Sequence, residues 1–499
     1  MNPHAEDNSD FGEPIFCTHF DLMEALQREN AARTARENQH IPEDDDHELE
    51  PAPAALPPSK PDPITTPSAP PLTGRAKKNV QKRERERTKR KEATVAALQD
   101  PTPPVPSPRA LDKAAACTPL ATSYRAANFR ATKPRWNGLA TPLEHPLLKH
   151  AHDVEILKQH MDYFDWPGDK THVVLDRQGY VIGALVAPPV QGAEWESVAA
   201  RAAAVRAARA KMTFPAGAEH HRRAAGEGFP TAATGFAFGT GRGHVGNIKA
   251  SSFTNAAALD EMLGDKDVER IATNAFPAFQ ALAYHIFSDY HEAKQLLLQK
   301  YPHLRKTFPR SPFAALTANL GPVSVSPPHT DGNNKADGFC LINALGSFDA
   351  DKGGHLVLWD YDLVVRFPAG RSALIPSAVV THSNTPIQAG EDRFSLIQYS
   401  AGSLFRWIDN GYQSDLSWFA GASADDVARR EEARRARCAV ALRKFSRWKD
   451  IKVKNYAGRP RLDVWQHGDL AEFSDYTDES EGEQERPCKR LKRGQRTAP

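Results

Sequence analysis

Short apolar runs separated by breaks fill residues 313–400, and they constrain the fold more than any other feature of the chain. Each run is rich in Val, Leu, Ile or aromatic residues, and Gly, Pro or Asp residues stand between the runs. The seven runs read FAALTANL, GFCLINAL, HLVLWD, LVVRF, SALIP, AVVTHSN and FSLIQYS. Many short strands at this spacing are typical of a sandwich or barrel. We therefore predict an α+β protein with a jelly-roll (double-stranded β-helix) core and flanking helices.

The rest of the chain divides by composition. Both ends are rich in Pro or charge and cannot bury enough apolar surface to offset the entropy of ordering, so we expect disordered termini and a folded region that begins near Pro134. A hairpin signal stands at Asp176–Gly179, and Ala424–Lys449 has a charged helical pattern. We predict five regions: a mostly disordered 1–133 with a basic segment at 75–92, an α/β N-terminal subdomain at 134–310, the jelly-roll core at 311–420, a C-terminal helical region at 421–463, and a disordered acidic and basic tail at 464–499.

Cysteine use and charge distribution bear on the compartment. The five cysteines are far apart and form no C-x-x-C pair, which excludes a disulfide scaffold and fits a reducing compartment. The net charge is only +2, but basic clusters stand at 75–92 and at Lys489–Arg493. Either cluster alone can be a solvated charge run, whereas two together favour nuclear import. No apolar stretch approaches the ~18–20 residues of a membrane span, so we expect no membrane association.

Metal ligation is indicated by an H-x-D motif followed by a distant histidine, the pattern of two His and one carboxylate that holds non-haem iron. Four pairs match H-x-D, namely His19/Asp21, His160/Asp162, His329/Asp331 and His467/Asp469. Only His329/Asp331 lies in the β-rich stretch and is followed by a suitably placed histidine, His382, and then by Arg393. We therefore expect His329, Asp331 and His382 to bind the metal and to form the catalytic centre.

The spacing of these residues has a physical basis. Residues i and i+2 of an extended segment point the same way, so His329 and Asp331 can bind one ion, and a later strand can return His382 to the same site. Arg393 precedes a buried strand, where a guanidinium can bind a carboxylate through two hydrogen bonds. Ser395 lies on the same face and can add a hydroxyl donor. This pair suits the distal carboxylate of 2-oxoglutarate.

The block from Phe313 to Trp407, with its motifs PPHTDGNN and THSNTPIQAGEDRFSLIQYS, resembles the oxygenase domain of the TET/JBP family in its fungal, transposon-associated branch. A weaker resemblance extends back through GFAFGTGRGHVGN. The resemblance implies Fe(II) and 2-oxoglutarate as cofactors, with the iron and co-substrate residues named above. It also implies that Asn334, three positions after the metal Asp, contacts the flipped base. The cysteine-rich extension of animal members is absent, so contacts to DNA outside the catalytic domain must be made differently.

Other candidate residues come from their position alone. Asp337, in the loop that leaves the iron site, can accept a hydrogen bond from an exocyclic base amine or can be an ordinary loop residue. Residues 241–246 match G-x-G-x-x-G, but no parallel βαβ pattern surrounds them, so a glycine-rich loop beside the pocket is favoured over a dinucleotide site. Arg242 and His244 in this motif either line the pocket or are solvated. The aromatic residues Trp359, Phe405 and Trp407 are expected in the core.

These observations predict a nuclear, monomeric dioxygenase that uses O₂ and 2-oxoglutarate to oxidise the methyl group of a base in double-stranded DNA. The favoured base is 5-methylcytosine, with N6-methyladenine as a further possibility. A base inside a duplex cannot reach the iron, so it must be flipped out, and basic segments at 75–92 and 201–211 can neutralise phosphates. Two alternatives stay open: a hydroxylase of a protein or small molecule in which the basic arms serve only import, and a catalytically silent DNA-binding module, against which the intact ligand set argues.

Overall fold

The computed structural model describes residues 100–106, 108–132, 135–139, 143–188, 203–215, 228–239 and 242–451, together with Trp195 and six positions between 78 and 89. Three predictions fall outside the described residues. They are the disorder of residues 1–99, most of the basic segment 75–92, and the disorder of the tail 464–499. The H-x-D pairs His19/Asp21 and His467/Asp469 also lie outside them.

Thirteen strands and eleven α-helices are formed by the described residues. The strands are β1 (Thr118–Ala121), β2 (Asp162–Phe164), β3 (His172–Leu175), β4 (Val181–Val186), β5 (Thr231–Gly239), β6 (Arg242–Asn247), β7 (Ala315–Asn319), β8 (Cys340–Ser347), β9 (Leu356–Leu358), β10 (Leu363–Val365), β11 (Ser372–Ile375), β12 (His382–Asn384) and β13 (Asp392–Tyr399). The helices are α1 (Pro108–Ala115), α2 (Val154–His160), α3 (Ala203–Lys211), α4 (Phe253–Gly264), α5 (Lys266–Thr273), α6 (Phe276–Leu282), α7 (Tyr284–Lys300), α8 (Gly402–Asp409), α9 (Asp415–Gly421), α10 (Ala424–Ala441) and α11 (Trp448–Ile451).

The strands form two sheets, and the α+β class is confirmed. The larger sheet has nine strands in the order β1-β3-β4-β11-β8-β13-β7-β5-β6, and the smaller has four in the order β12-β9-β10-β2. From β8 onward the chain crosses between the sheets four times: β8, β11 and β13 belong to the larger, and β9, β10 and β12 to the smaller. All but two of the strand pairings are antiparallel, the exceptions being β1 with β3 and β2 with β10.

The seven apolar runs correspond to β7–β13, as predicted. The hairpin at Asp176–Gly179 is also confirmed, and it joins β3 to β4. The carboxylate of Asp176 accepts hydrogen bonds from the backbone N–H groups of Gln178 and Tyr180, both at 2.8 Å. Gly179 has a φ of +78°, in the left-handed region that glycine enters without a Cβ clash. Local turn chemistry therefore accounts for this hairpin.

The folded region begins earlier than Pro134, so this predicted boundary is wrong. β1 pairs in parallel with β3, and the α1 residues Ala110 and Ala114 are buried in the main core. The Pro-rich segment before α1 packs against the helices: Gln280 Nε2 donates to the carbonyl of Pro104 at 2.7 Å. Composition alone missed this because the stabilising contacts come from distant parts of the chain.

Regions 134–310 and 311–420 share one sheet. β4, from the first region, pairs with β11, and β5 pairs with β7.

Helices α5, α6 and α7 follow one another where the sequence has a long amphipathic pattern, and α10 confirms the charged helix after Ala424. Among the described residues, no helix combines the length and apolar content that a bilayer span needs.

Candidate metal centre and its cavity

Two of the predicted ligands are held together by the main chain. His382 begins β12, and His329 lies on an extended segment that forms an antiparallel bridge with it. The His329 N–H donates to the His382 carbonyl at 3.1 Å, and the His382 N–H donates to the His329 carbonyl at 2.9 Å. Their ring centroids are 4.4 Å apart. Backbone pairing therefore sets the separation of the two imidazoles.

Asp331 completes the group. Its backbone N–H donates to the Ser377 carbonyl at 2.7 Å, which anchors the residue two positions after His329. One carboxylate oxygen lies 3.9 Å from His329 Nε2, and the other lies 3.8 Å from His382 Nε2. The potential ligand atoms of the three residues all lie within 4.8 Å of one another. The three residues predicted from the sequence thus lie together. Within the described chain, they form the one group of His, Cys, Asp or Glu that can hold a metal ion.

The hydrogen bonds of the two imidazoles fit metal ligation through Nε2. His329 Nδ1 lies 2.7 Å from the Pro327 carbonyl oxygen, and His382 Nδ1 lies 3.0 Å from that of Val380. A carbonyl only accepts, so each Nδ1 must carry the proton, and the neutral ring then presents the lone pair of Nε2 toward Asp331. Such outer hydrogen bonds orient metal-binding histidines in general. Two imidazole nitrogens and a carboxylate suit non-haem Fe(II).

The triad opens into a cavity of about 480 Å³. Strand β13 supplies one wall with alternate residues: Arg393, Ser395, Ile397 and Tyr399 line the cavity. Two of the residues between them, Phe394 and Leu396, belong to a separate hydrophobic core cluster on the other face. The period of two along a strand therefore brings Arg393 and Ser395 to the same cavity as the metal triad, as their spacing predicts.

Arg393 is a buried cation without a carboxylate partner among the described residues. It is 4% exposed, one of its guanidinium nitrogens donates to the Ser324 carbonyl at 3.1 Å, and its Nε has no hydrogen-bond partner in the described chain. Burial lowers the pKa of this guanidinium to about 10, which still leaves it protonated at neutral pH. A buried charge of this kind is costly unless an anion pairs with it. Arg393 therefore provides a site for an anionic ligand.

Ser395 lies beside this charge on β13. It is 3% exposed, and its hydroxyl oxygen accepts a hydrogen bond from Asn319 Nδ2 at 2.9 Å. Because that oxygen acts as the acceptor, the hydroxyl proton is available to a ligand in the cavity. Asn319, on β7, also lines the cavity but was not identified from sequence.

Asn334 lies on the cavity wall near the triad. Its backbone N–H donates to the Asp331 carbonyl at 2.7 Å, and its side-chain Nδ2 donates to Ser377 Oγ at 3.0 Å. The side-chain carbonyl oxygen accepts no hydrogen bond within the described chain. Asn334 can thus offer an acceptor at a fixed position next to the ligand Asp331.

Asp337 is not brought to the cavity. One carboxylate oxygen accepts from Lys335 Nζ at 2.6 Å, and the other lies 3.0 Å from Lys444 Nζ. Both lysines also pair with Asp289 of α7. Burial alone would raise the pKa of Asp337, but the two ammonium groups outweigh it and lower that pKa to about 2. Both carboxylate oxygens are engaged in this ionic network. We therefore do not propose the base contact that the loop position of Asp337 suggests.

The glycine motif at 241–246 does not form a dinucleotide site. Residues 242–247 are strand β6, which forms an antiparallel hairpin with β5, whereas the fingerprint requires a strand followed by a helix. Arg242 lines the cavity, but His244 does not and instead contacts Trp407 edge-on at 6.0 Å. Trp359, Phe405 and Trp407 are buried, as expected for core residues.

Two further residues of the cavity were not identified from the sequence. Asn384 lines the cavity two positions after His382 on β12, and strand periodicity would have identified it. Arg406 of α8 also lines the cavity, and its helix carries no local motif that would reveal this. The competing H-x-D residues His160 and Asp162 are exposed, at the end of α2 and the start of β2, and belong to no such ligand group.

No protein-family model matches the chain, and the search of curated proteins returns no match. Among solved structures, the chain is similar to NgTET1 in complex with 5mC DNA, with 13% sequence identity and a TM-score of 0.28. The match covers 52% of this chain and 92% of that chain. Since the identity and the TM-score are both low, the functional proposal depends on the residues of the site.

Proposed function

We propose that the protein is an Fe(II)- and 2-oxoglutarate-dependent dioxygenase that oxidises the methyl group of a methylated base in DNA, with 5-methylcytosine as the favoured substrate. One observation carries the proposal: a group of two histidines and an aspartate shares a cavity with Arg393, a buried arginine that lacks a carboxylate partner among the described residues. A metal and an anionic co-substrate explain both features together.

We propose a double-stranded β-helix for the core. The repeated crossing of the chain between the larger and smaller sheets over β8–β13 supports this topology, since a jelly roll is built from two sheets that the chain visits in turn. Both sheets contribute residues to the cavity: His382 is on the smaller sheet, and Arg393 is on the larger.

His329, Asp331 and His382 would hold the iron through two Nε2 atoms and a carboxylate. Fe(II) bound there would supply the activation of O₂, coupled to the oxidative decarboxylation of 2-oxoglutarate to succinate and CO₂. The Pro327 and Val380 carbonyls keep the two Nδ1 protons in place, so both rings present Nε2 without reorganisation. The remaining part of the cavity can receive the co-substrate and the base.

Arg393 and Ser395 would bind the distal carboxylate of 2-oxoglutarate. The guanidinium can donate two parallel hydrogen bonds to a carboxylate, and the Ser395 hydroxyl can add a third. The dianion would also neutralise a charge that is otherwise buried without a carboxylate partner in the described part of the chain. Asn319 helps by donating to Ser395, which directs the hydroxyl proton away from the amide and toward the ligand.

The base would enter by flipping, because a stacked base cannot reach atoms inside an enclosed cavity. Asn334 supports cytosine recognition: its side-chain oxygen can accept a hydrogen bond from the exocyclic amine, while its Nδ2 is held by Ser377. Cytosine and adenine both carry such an amine, so this contact is compatible with 5-methylcytosine and with N6-methyladenine.

Nuclear localisation stays a prediction from the basic clusters, and Lys489–Arg493 lies outside the described residues. A fluorescent fusion in which the four basic residues of this cluster are replaced by Ala would test it. Retention of the nuclear signal in that variant would refute import through this cluster.

Mass spectrometry of nucleosides tests the proposed activity. We expect oxidised 5-methylcytosine after methylated duplex is incubated with the protein, Fe(II), 2-oxoglutarate and ascorbate, and no such product with Asp331→Ala. Asp162→Ala, which alters an exposed aspartate of a competing H-x-D pair, is the matched control and should be active. Succinate formed without any oxidised base, with protein or metabolite as the hydroxylated product, would favour the alternative hydroxylase.

A further inference from the structure

The cavity contains more positive charge than the metal triad and co-substrate account for. Among the described residues that line it, three are arginines, Arg242, Arg393 and Arg406, and one is a carboxylate, Asp331. Under the proposed function, Asp331 is paired with iron and Arg393 with 2-oxoglutarate. Arg242 and Arg406 are left without a role.

These two arginines belong to neighbouring elements. The β5–β6 hairpin packs on α8 through Phe238 and Trp407, whose ring centroids are 4.5 Å apart, and through His244 and Trp407. Arg242 lies two positions before His244 on β6, so it is on the strand face that is turned toward α8. Arg406 directly precedes Trp407 on α8. Both arginines are partly exposed, which places them at the rim of the cavity.

The charges around the rim leave an excess of guanidinium. Arg406 pairs with Asp415 at 3.1 Å, but Asp415 also pairs with Arg430 at 2.6 Å, so one carboxylate serves two arginines. Arg242 makes no ion pair with the described residues. Asn137 and Asn333, two other polar residues of the cavity lining, are neutral: Asn137 Nδ2 donates to the Asn333 carbonyl at 3.0 Å.

We propose that Arg242 and Arg406 bind a backbone phosphate of the nucleotide whose methylated base enters the cavity. This inference rests on the proposed function and identifies part of its substrate, a phosphodiester next to the base. Guanidinium groups match phosphate oxygens through paired hydrogen bonds. A rim cation can hold the strand while the base occupies the interior, because a flipped base stays attached to its backbone.

DNA binding by metal-free protein tests the proposal without turnover. The probe is a labelled duplex that carries one 5-methylcytosine, and its fluorescence anisotropy is followed over a series of KCl concentrations. We expect Arg242→Gln and Arg406→Gln each to weaken binding several-fold and the double variant to weaken it further. The slope of log K against log salt should fall by about 0.9 for each lost phosphate charge contact. Arg242→Lys should retain most of the slope.

A matched control separates a phosphate contact from the general loss of a positive charge. Arg429→Gln removes an exposed arginine of α10 that pairs with Asp426 and does not line the cavity. This variant should bind the probe as the wild type does. If Arg406→Gln unfolds at a lower temperature, Arg242→Gln alone decides, since it breaks no ion pair with the described residues. Wild-type affinity and slope in Arg242→Gln would overturn the proposal.

Failure of this inference is distinguishable from failure of the proposed function. If wild-type protein oxidises methylated DNA while the Arg242→Gln variant binds normally, the phosphate contact is wrong and the function stands. If wild-type protein oxidises no methylated DNA under any supplied condition, the function itself fails.

Discussion

His329 and His382 are joined by two backbone hydrogen bonds, of 3.1 and 2.9 Å, that pair the segment before Asp331 with β12. The separation of the two imidazoles therefore depends on main-chain pairing and not on the side chain of the third ligand. Replacing the side chain of Asp331 should therefore remove metal affinity and leave the fold intact.

Asp331→Ala should abolish iron binding and activity while leaving thermal unfolding close to that of the wild type. The carboxylate is the anionic ligand of the proposed site, whereas the fold at this point depends on the Asp331 backbone N–H and on the His329–His382 pairing. Metal analysis of purified protein measures the effect. His329→Ala and His382→Ala should also lose iron, and Asp162→Ala should not. Normal iron content in folded His382→Ala protein would refute the ligand assignment.

Arg393→Lys should raise the apparent KM for 2-oxoglutarate far more than that for DNA. Lysine keeps a charge but cannot reproduce the planar two-donor geometry of a guanidinium. Ser395→Ala should act in the same direction at about 0.5–1.5 kcal/mol, the range for a single neutral hydrogen bond. Calorimetry with 2-oxoglutarate checks both variants, and equal effects on both substrates with unchanged calorimetric binding would argue against the clamp.

Asn334→Ala should lower activity on 5-methylcytosine without changing the uncoupled consumption of 2-oxoglutarate. The variant removes the acceptor proposed for the exocyclic amine and leaves the iron and co-substrate residues intact. Succinate release without DNA serves as the internal control. An unchanged rate on methylated duplex would mean that base recognition depends on other cavity residues.

Asp337→Asn should destabilise the fold and leave the ratio of activities on the two methylated bases unchanged. Truncating one partner of a buried ionic network costs about 3–5 kcal/mol, and here Lys335 and Lys444 would lose one of the two carboxylates that they share, keeping only Asp289. Chemical denaturation gives the free energy of unfolding, and competition between 5-methylcytosine and N6-methyladenine duplexes gives the ratio. A changed ratio would restore Asp337 as a base-reading residue.

The same network predicts a dependence on pH. The folded pKa of Asp337, about 2, is below the unfolded value of ~3.9, so its stabilisation is complete above pH ~4 and is lost as the pH falls toward 2. The difference in unfolding free energy between wild type and Asp337→Asn should therefore shrink as the pH falls from 5 to 3. A constant difference over this range would mean that the carboxylate is not ionised in the network.

Lys294→Met should stabilise the protein at neutral and mildly acidic pH. Burial lowers the pKa of Lys294 to about 7, and its ammonium donates to the Ser311 carbonyl. Because the unfolded pKa is ~10.4, the unfolded state binds more protons between pH 7 and 10, so the penalty is greatest below pH 7 and fades as the pH rises. Denaturation at pH 6 and pH 9 should show a larger gain at pH 6, and the opposite order would contradict this account.

Local patterns predicted the parts of the fold that local chemistry controls. The runs that became β7–β13 have apolar content and flanking breaks that suffice to identify strands, and the Asp176–Gly179 turn has its own hydrogen bonds. β1 and β5 were missed because TPLA and TAATGFAFG are weak strand sequences. Both form strands because β3 and β7 pair with them, a tertiary effect that no window of sequence contains.

The residues of the site also fall into those that a local pattern predicts and those that it does not. His329, Asp331, Arg393 and Ser395 line one cavity, as their spacing predicts, because a period of two along extended backbone determines which side chains share a face. Asp337 is absent from the lining of this cavity because the loop after Asp331 turns toward α7, where Lys335 and Lys444 bind the carboxylate. Arg406 was missed because its position depends on how α8 packs against the β5–β6 hairpin.

We propose that one cavity holds Fe(II) on His329, Asp331 and His382 and 2-oxoglutarate on Arg393. Anaerobic addition of 2-oxoglutarate to Fe(II)-loaded protein tests it most directly, because a ferrous ion gains visible absorbance when a 2-oxo acid coordinates it. We expect this absorbance to reach its maximum when one 2-oxoglutarate is bound per iron. Arg393→Lys should require a higher 2-oxoglutarate concentration to reach that maximum, and Asp331→Ala should show no such absorbance. Its absence in the wild type, or an unaltered titration in Asp331→Ala, would contradict the claim.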